Sequence, residues 1–280
     1  MTARSARIES FRALHASGCF VIPNPWDTGS ARWLRGLGFK ALASTSAGFA
    51  FTQGRADQDV PLEMMLSHLK ELCACVPDIP VNADFENAYA DDPDGVARNV
   101  KACVATGVAG LSVEDASNDA NNRFYPFDLA VERVKAARRA IDETGSGVLL
   151  TARAEALLYG GDFAEAERRI EAYAAAGADV LYAPGLKTLD QLRAIVAAAG
   201  GKPVNFLNGG ASGLTVTEIA MAGARRISVG AGLARAAWAG FVKAAELVAK
   251  DGSFVGFAQN SATAALEPFF TKDLAERGGV

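Results

Sequence analysis

Residues that often carry nucleophilic or metal chemistry are scarce in this chain. It has two histidines and four cysteines among 280 residues. His15 and His68 fall in predicted helices rather than at strand ends, which disfavours a histidine-ligated metal hydrolase and a Ser-His-Asp hydrolase. The cysteines show no metal-site spacing, and we interpret them as reduced thiols that mostly fill the core. They are Cys19, Cys73, Cys75 and Cys103.

Long apolar runs and blocks of basic residues are also missing. No run reaches the roughly 18 apolar residues of a membrane-spanning helix. The opening segment, MTARSARIESFRALHASG, is charged and lacks the apolar core of a signal peptide. The net charge is −4 and the pI about 5.4, which argues against nucleic acid or an anionic membrane as a partner. We therefore expect a cytoplasmic protein that acts on a small molecule.

What the chain does contain is a regular alternation of short apolar runs and amphipathic helical stretches. This order predicts a parallel sheet with helical crossovers. The predicted strands are Cys19–Pro23, Ala41–Thr45, Pro80–Phe85, Gly110–Glu114, Val148–Arg153, Asp179–Tyr182, Pro203–Leu207 and Arg226–Val229. The predicted helices after them are Thr28–Leu37, Leu62–Val76, Pro93–Thr106, Leu129–Thr144, Phe163–Ala176, Thr188–Ala199, Thr215–Ala222 and one that begins near Leu233.

Eight such units predict an α/β fold of the (β/α)8 TIM-barrel type. The length suits a single barrel domain over residues 1–280, since such barrels take about 250 residues. A leading N-terminal helix and extra C-terminal helices complete the prediction. The rival fold is an open doubly wound sheet, but no Gly-x-Gly-x-x-Gly follows the first strand. Gly38, Gly107, Gly177 and Gly223 each follow a predicted helix, where glycine permits a left-handed helix end.

Carboxylates gather at the predicted carboxyl ends of two neighbouring strands, where barrel enzymes hold their chemistry. Asp84 and Glu86 are two residues apart at the third strand, so both side chains face the same way. Glu114 ends the fourth strand. Three converging carboxylates repel one another unless a cation neutralises them, and all-oxygen ligation suits Mg²⁺, with Mn²⁺ as the alternative. The competing interpretation pairs these acids with arginines such as Arg153.

A single arginine, Arg153, ends the fifth predicted strand. Its guanidinium can hold a substrate carboxylate or phosphonate with two parallel hydrogen bonds. The alternative is a structural ion pair with Glu155 or Glu114. Asp57, in the long loop after the second strand, is a further candidate that could reach a metal-bound water. No lysine stands at a strand end, which disfavours a Schiff-base aldolase.

Hydroxyl, amide and aromatic groups at other strand ends are candidate substrate contacts. The hydroxyl of Ser46 and the backbone amides of Ala47 and Gly48 are predicted to bind a carboxylate or an enolate oxygen. The alternative for them is an ordinary turn. Trp26, after the first strand, and Asn205, in the seventh, are the other candidates for substrate binding.

Taken in order, these strand-end segments resemble the isocitrate lyase/phosphoenolpyruvate mutase superfamily. The segments are Asn24-Pro25-Trp26-Asp27, Ser30-Ala31-Arg32, Ser44-Thr45-Ser46-Ala47-Gly48, Asp57, Val81-Asn82-Ala83-Asp84-Phe85-Glu86, Val113-Glu114-Asp115 and Thr151-Ala152-Arg153-Ala154-Glu155. The resemblance runs from the first strand to the eighth. It implies a (β/α)8 barrel, dependence on Mg²⁺, and cleavage or formation of a C–C or C–P bond beside a carbonyl through an enolate. It also implies a homodimer or homotetramer, often formed by swapping the last barrel helix.

The resemblance also implies roles for individual residues. Asp84 would bind the metal directly, and Asp57, Glu86 and Glu114 would act largely through metal-bound waters. Arg153 would hold the charged group of the substrate. The segment after the second strand would receive the carboxylate and the enolate oxygen.

The chain departs from the family pattern in two places. The usual Asp-x-Asp-x-Gly-Tyr-Gly is here Asp84-Phe85-Glu86-Asn87-Ala88-Tyr89, so a glutamate replaces an aspartate and two glycines are missing. The loop after the fourth strand has neither the Lys-Lys-Cys-Gly-His of the isocitrate lyases nor the lysine of the phosphonate enzymes. Asn121 or Asn122 can take the asparagine role there, and Arg123 is its cation. A metal-bound water or Tyr159 is then the candidate proton carrier.

Three hypotheses follow for the function. The leading one is a Mg²⁺-dependent lyase or decarboxylase that acts on a small 2-oxo or 2-hydroxy di- or tricarboxylate. The second is a hydrolase or mutase of the C–P bond that acts on phosphonopyruvate or phosphoenolpyruvate. The third is a 2-oxo acid binding protein with a degenerate site, which the missing loop residues motivate.

Overall fold

The computed structural model describes residues 2–119 and 121–277, apart from the side chains of residues 259–262. Strands and helices alternate through these residues. The strands are β1 Phe20–Ile22, β2 Leu42–Ala43, β3 Val81–Asp84, β4 Gly110–Glu114, β5 Leu149–Arg153, β6 Val180–Tyr182, β7 Val204–Leu207 and β8 Arg226–Ser228. The helices are α1 Ala3–Ala16, α2 Thr28–Gly36, α3 Ser46–Thr52, α4 Leu62–Cys75, α5 Pro93–Ala105, α6 Phe127–Glu143, α7 Phe163–Ala175, α8 Leu189–Ala198, α9 Val216–Met221, α10 Gly232–Asp251 and α11 Leu266–Glu276.

The eight strands form one parallel sheet that curves into a barrel. Neighbours pair in the order β1-β8-β7-β6-β5-β4-β3-β2, and each pair is parallel. The two end strands also meet, because the amide of Ala43 donates a hydrogen bond of 3.0 Å to the carbonyl of Pro23. The side chain of Asn24 spans this seam, since its Nδ2 donates to the Ser44 carbonyl and its Oδ1 accepts from the Val229 amide. The predicted (β/α)8 barrel is confirmed.

Helix α1 covers the end of the barrel where the strands begin. Phe11 is fully buried there, and its ring lies edge-on to His15 at 4.6 Å between centroids. A methyl group at Gly110, the first residue of β4, would lie 2.6 Å from the Phe11 ring, so only glycine permits this close approach. We call this end, with α1 and the residues at the strand beginnings, the barrel floor. The opposite end, where the strands finish at Asp84, Glu114 and Arg153, is the barrel mouth.

The ends of several helices follow from local sequence. Thr45 caps α3 by accepting a hydrogen bond from Gly48, and side chains at Asp27, Asp92, Asp162, Thr188 and Thr215 cap α2, α5, α7, α8 and α9. The glycines predicted to end helices all have positive φ: Gly38, Gly107, Gly177 and Gly223. Helix α3 was not predicted. Its residues were expected to belong to the long loop between the second predicted strand and the predicted helix over Leu62–Val76.

The chain divides into two compact units, residues 1–232 and 233–280. All eight strands and helices α1 to α9 lie in the first unit. The second contains most of α10, a 3₁₀ stretch over Val255–Ala265 and helix α11, which confirms the predicted extra C-terminal helices. The single domain over residues 1–280 and the swapping of a helix stay predictions. Among the described helices, none combines the length and the apolar character needed to cross a membrane.

Candidate active site

Arg153 stands at the centre of the mouth and binds three carboxylates. Its Nη1 lies 2.8 Å from Asp84 Oδ1, its Nη2 2.9 Å from Glu114 Oε2, and its Nε 2.8 Å from Glu155 Oε1. The partners come from β3, from β4 and from just after β5. The fork geometry of a guanidinium allows one side chain to serve three acceptors. The ion pair weighed above as the alternative role of Arg153 is therefore present.

Burial disfavours the charged forms of the carboxylates in this cluster. Glu114 is 5% exposed and Glu155 is 1% exposed. Burial raises the pKa of Glu114 well above its ordinary value, although the charge of Arg153 opposes that shift. Burial likewise raises the pKa of Glu155, and again Arg153 opposes it. Removing water from carboxylates disfavours their charged forms, so the cluster needs positive charge in addition to one guanidinium.

Asp84 connects the cluster to the loop after β2. Its Oδ2 accepts hydrogen bonds of 3.1 Å from both the amide and the hydroxyl of Ser46. Asp57 reaches the same place from the long loop, although it remains exposed to solvent. Its pKa is raised by partial burial and by the charge of Asp84, while a hydrogen bond with Ser46 and the charge of Arg153 lower it. The structure thus brings together Asp57, Asp84, Arg153 and Ser46, four of the predicted site residues.

Glu86 lies beside this group in an unusual backbone conformation. Its φ is 47°, and the φ of Ala88 and of Tyr89 is also positive, a region that side chains other than glycine rarely occupy. Of these three residues, Ala88 stands where the family pattern has a glycine. Glu86 Oε1 accepts a hydrogen bond of 3.1 Å from the Tyr89 hydroxyl. Burial, then the charges of Asp84 and Asp57, raise the pKa of Glu86 to about 8.

The donor set at the mouth fits a hard divalent cation. The pKa values of Asp57, Glu86 and Glu114 are raised, first by burial and in part by the charge of Asp84. No group of three or more His, Cys, Asp or Glu side chains within residues 2–119 and 121–277 has the spacing of a complete metal site. Mg²⁺ commonly takes one or two carboxylates directly and keeps several waters. The residues therefore fit a site with one direct ligand and several water-mediated ones.

The proposed anion-binding segment after β2 forms the first turn of α3. Ser46 and Ala47 are buried. The amide of Gly48 donates to the hydroxyl of Thr45 at 3.2 Å, so the helix cap already engages one of the amides predicted to face substrate. Trp26, at the end of the neighbouring strand, is half-buried, and its own amide donates to Ser30.

Asn205 lies deeper in the barrel than its predicted role requires. It is fully buried, its Nδ2 donates to Ser228 Oγ at 2.9 Å, and its Oδ1 accepts from Arg226 Nε at 2.8 Å. Both polar ends of the amide are thus satisfied within the barrel. Direct contact between Asn205 and a substrate stays a prediction.

The loop after β4, residues 115–123, folds back on itself at its base. Ala116 and Phe124 form an antiparallel bridge. Asn122 is exposed, and its Nδ2 donates to Asp119 Oδ2 at 3.0 Å. The guanidinium of Arg123 lies 4.7 Å from the centre of the Tyr159 ring. Tyr159 therefore holds this loop against the segment after β5.

Strand-end reasoning missed several residues that shape the mouth. Tyr89 is one, since its hydroxyl donates to Glu86; Glu155 was considered only as an ion-pair partner of Arg153, and that pair is present. The ring of Tyr182, at the end of β6, lies 5.1 Å from the Arg153 guanidinium, and its strand-end position was a signal that could have identified it. Asp115 has a supporting role, because its Oδ1 accepts from the Glu155 amide at 2.7 Å and its Oδ2 pairs with Arg169. Its partners come from distant elements, so no local sequence pattern indicated them.

Comparison with known proteins places this arrangement in a family. The family model described as phosphoenolpyruvate phosphomutase matches residues 11–249. The chain belongs to the phosphoenolpyruvate mutase/isocitrate lyase superfamily. A solved structure from Burkholderia cenocepacia J2315 is 40% identical, with a TM-score of 0.91 over 96% of this chain and 98% of that one. The oxaloacetate acetylhydrolase solved with its product oxalate is 26% identical, with a TM-score of 0.84 over 98% of each chain.

Curated relatives of this superfamily member include an oxaloacetate decarboxylase from Paraburkholderia xenovorans. The two sequences are 28% identical over 65% of this chain and 62% of the relative. The relatives found include lyases and mutases of this superfamily, which confirms the predicted enzyme class. The resemblance inferred from the strand-end motifs is also confirmed.

Proposed function

We propose that the chain is a Mg²⁺-dependent lyase or decarboxylase. It cleaves a C–C bond beside the carbonyl or hydroxyl of a small 2-oxo or 2-hydroxy di- or tricarboxylate through an enolate. The observation that carries this proposal is the gathering of several carboxylates, one guanidinium and one serine hydroxyl at the barrel mouth. The oxaloacetate decarboxylases among the relatives make oxaloacetate the first substrate to test.

Different residues of the mouth would bind the cation and the substrate. Asp84 would hold Mg²⁺ directly, and Asp57, Glu86 and Glu114 would hold it through waters. When bound, the ion supplies a Lewis acid that favours enolate charge on the substrate. Arg153 binds a substrate carboxylate with its guanidinium fork.

The loop after β4 favours decarboxylation over the lyase reaction that starts from a hydroxyl. Cleavage of a 2-hydroxy acid needs a base to remove the hydroxyl proton, and residues 115–123 contain no cysteine, lysine or histidine. Decarboxylation of a 2-oxo dicarboxylate such as oxaloacetate, whose departing carboxylate is on the carbon next to the carbonyl, needs no such base. The bond to the departing CO₂ breaks, its electron pair enters the enolate, and a proton then reaches the carbon. Water at the mouth or Tyr159 can supply that proton.

Turnover of oxaloacetate with and without Mg²⁺ tests the proposal. We expect pyruvate and CO₂ to form with Mg²⁺, and the activity to be lost in EDTA and restored by Mg²⁺. Asp84→Asn should abolish turnover, whereas the matched variant Asp190→Asn should not, because Asp190 is a surface residue whose side chain is 92% exposed. Activity that persists unchanged in EDTA would contradict the role of the metal.

C–P bond chemistry is the second candidate, since the matching family model is itself described as a phosphomutase. Release of phosphate from phosphonopyruvate, without turnover of 2-oxo or 2-hydroxy carboxylates, would favour it. The binding-protein hypothesis predicts saturable binding of 2-oxo acids with no turnover of any of them. A turnover that Arg153→Ala abolishes would exclude that hypothesis.

We also propose that the enzyme is a homodimer or homotetramer. Within the unit of residues 233–280, several aromatic side chains are exposed: Trp238, Phe241, Phe254 and Phe257. Exposed apolar clusters commonly mark contact surfaces between subunits. Sedimentation velocity should give a mass at least twice the 29.2 kDa of one chain. The cytoplasmic location stays a prediction.

A further inference from the structure

The floor of the barrel contains a cavity that the proposed reaction does not use. Its volume is about 460 Å³, within the range of about 300–1,000 Å³ usual for small-molecule sites. Arg12 and His15 of α1 line one side, and Lys202 and Arg225 line another. The mouth lies at the other ends of the same strands, so this cavity is separate from the carboxylate cluster.

Three cations line the cavity, and each donates to at least one backbone carbonyl. Arg12 Nη2 donates to Gly147 at 2.8 Å. Lys202 Nζ donates to Ala178 at 2.6 Å and to a second carbonyl. Arg225 Nη1 donates to Gly18 at 2.9 Å. These contacts fix the stems while using only some of the five N–H groups of each guanidinium.

Little negative charge offsets these cations. Asp179 is the one carboxylate among the lining residues. Its Oδ1 lies 3.8 Å from Arg12 Nη1, while its Oδ2 accepts from Arg138 and from the Leu150 amide. The lining therefore holds one carboxylate against the charges of Arg12, Lys202 and Arg225. Arg226 lies behind His15, with Nη1 3.5 Å from His15 Nε2. In a chain of net charge −4, the floor is therefore a local positive region.

The state of His15 is consistent with that positive field. His15 Nδ1 donates to the Phe11 carbonyl at 2.8 Å, which leaves Nε2 as the acceptor toward Arg226. Its pKa is lowered to about 3, first by burial and then by the charges of Arg226 and Arg12. The neutral imidazole of His15 therefore adds no charge of its own to the cavity.

We propose that the floor cavity binds the phosphoryl group of a small phosphate monoester. A phosphoryl group presents three strong acceptor oxygens, the cavity lining supplies the three cations Arg12, Lys202 and Arg225, and arginine suits phosphate in particular. The remaining lining is largely apolar and includes Leu149, Val196 and Pro203. This surface would accept the organic part of the ester.

Phenyl phosphate is a suitable probe because benzoate offers the same ring with a carboxylate. Isothermal titration in metal-free buffer should show saturable binding of phenyl phosphate and at least tenfold weaker binding of benzoate. The double variant Lys202→Gln/Arg225→Gln should weaken phenyl phosphate binding tenfold or more. The control Lys135→Gln/Arg168→Gln removes the same charge from exposed positions and should leave binding unchanged. Arg153→Gln, at the mouth, should also leave it unchanged.

Amine labelling of the wild-type chain tests the proposal without altering the fold. Phenyl phosphate should slow the acetylation of Lys202 several-fold and leave that of Lys135 unchanged, as measured by mass spectrometry. Equal protection of both lysines, binding that survives the double floor variant, or binding lost in Arg153→Gln would each overturn the proposal. Benzoate binding as tight as phenyl phosphate would overturn the assignment to phosphate.

Discussion

Each end of the barrel contains an arginine, but the charges around the two guanidinium groups differ. At the mouth, Arg153 is surrounded by carboxylates, and its guanidinium is paired three times. At the floor, Arg226 is buried, and its partners are the neutral groups of Asn205, Thr151 and His15. Burial lowers the pKa of Arg226 to about 10. The mouth therefore has surplus negative charge and the floor surplus positive charge.

This difference explains what each end can bind. Surplus carboxylates with raised pKa values favour a cation, because a cation offsets their mutual repulsion. A buried guanidinium with neutral partners, near three further cations, favours an anion. The predictions below test this contrast, beginning with the largest expected effect.

Replacing Arg153 should have the largest effect. We expect Arg153→Gln to lower kcat/KM for the substrate by about a thousandfold, or about 4 kcal/mol, because the variant loses both the substrate contact and the counter-ion of three acids. Arg153→Lys should recover little activity, since an ammonium lacks the fork. Steady-state kinetics at saturating Mg²⁺ measures this, with near-UV circular dichroism as the fold control. Near-normal kcat/KM in the glutamine variant would contradict the central role of Arg153.

At the mouth, stability should fall as pH rises when no metal is present. Because the folded pKa of Glu86 is raised from 4.5 to about 8, its contribution is complete below pH 4.5 and is lost as the pH rises toward 8. By pH 7 the loss in the free energy of unfolding is about 3 kcal/mol. Glu86→Gln keeps an acceptor for Tyr89 and should remove that part of the slope. Urea unfolding in EDTA from pH 5 to pH 8 measures it, and equal slopes in the two proteins would refute the prediction.

At the floor, the sign should reverse. The pKa of His15 is lowered from 6.5 to about 3, so the folded chain keeps it neutral while the unfolded chain protonates it. Its contribution is therefore present above pH 6.5 and is lost as the pH falls toward 3. At pH 5 the loss is about 2 kcal/mol. His15→Gln should flatten urea-unfolding stability between pH 6.5 and pH 5. A steeper loss in the variant than in the wild type would show that the sign is wrong.

The predictability of the two ends from sequence also differs. The mouth follows from strand-end positions, which is why Asp84, Glu114 and Arg153 could be identified before any coordinates. The floor could not be assembled in this way. Lys202 and Arg225 precede strands, where sequence reasoning expects only structural roles, and Arg12 belongs to a helix whose position over the barrel is a tertiary property.

Local backbone effects made other features of the fold hard to predict from the sequence. Helix α3 begins because the Thr45 side chain accepts from the Gly48 amide, a contact that outweighs the poor helical pattern of the segment. The positive φ of Ala88 was unpredictable, since alanine disfavours that region by about 1–2 kcal/mol. The eight strands could be predicted because apolar periodicity encodes them, and the position of the barrel mouth follows from where the strands end. The triple pairing of Arg153 depends on side-chain directions that periodicity does not encode.

The smallest expected effect concerns the contact between Arg123, in the loop after β4, and Tyr159. If Tyr159 acts by holding Arg123 through its ring, Tyr159→Phe retains the contact and should leave kcat within about twofold. Tyr159→Leu removes the aromatic face, and the loss of about 0.5–1 kcal/mol should raise KM by about two- to fivefold. Steady-state kinetics of the two variants separates the roles. If the Tyr159 hydroxyl transferred the proton, Tyr159→Phe would be as inactive as Tyr159→Leu. In that case kcat would fall and KM would not rise.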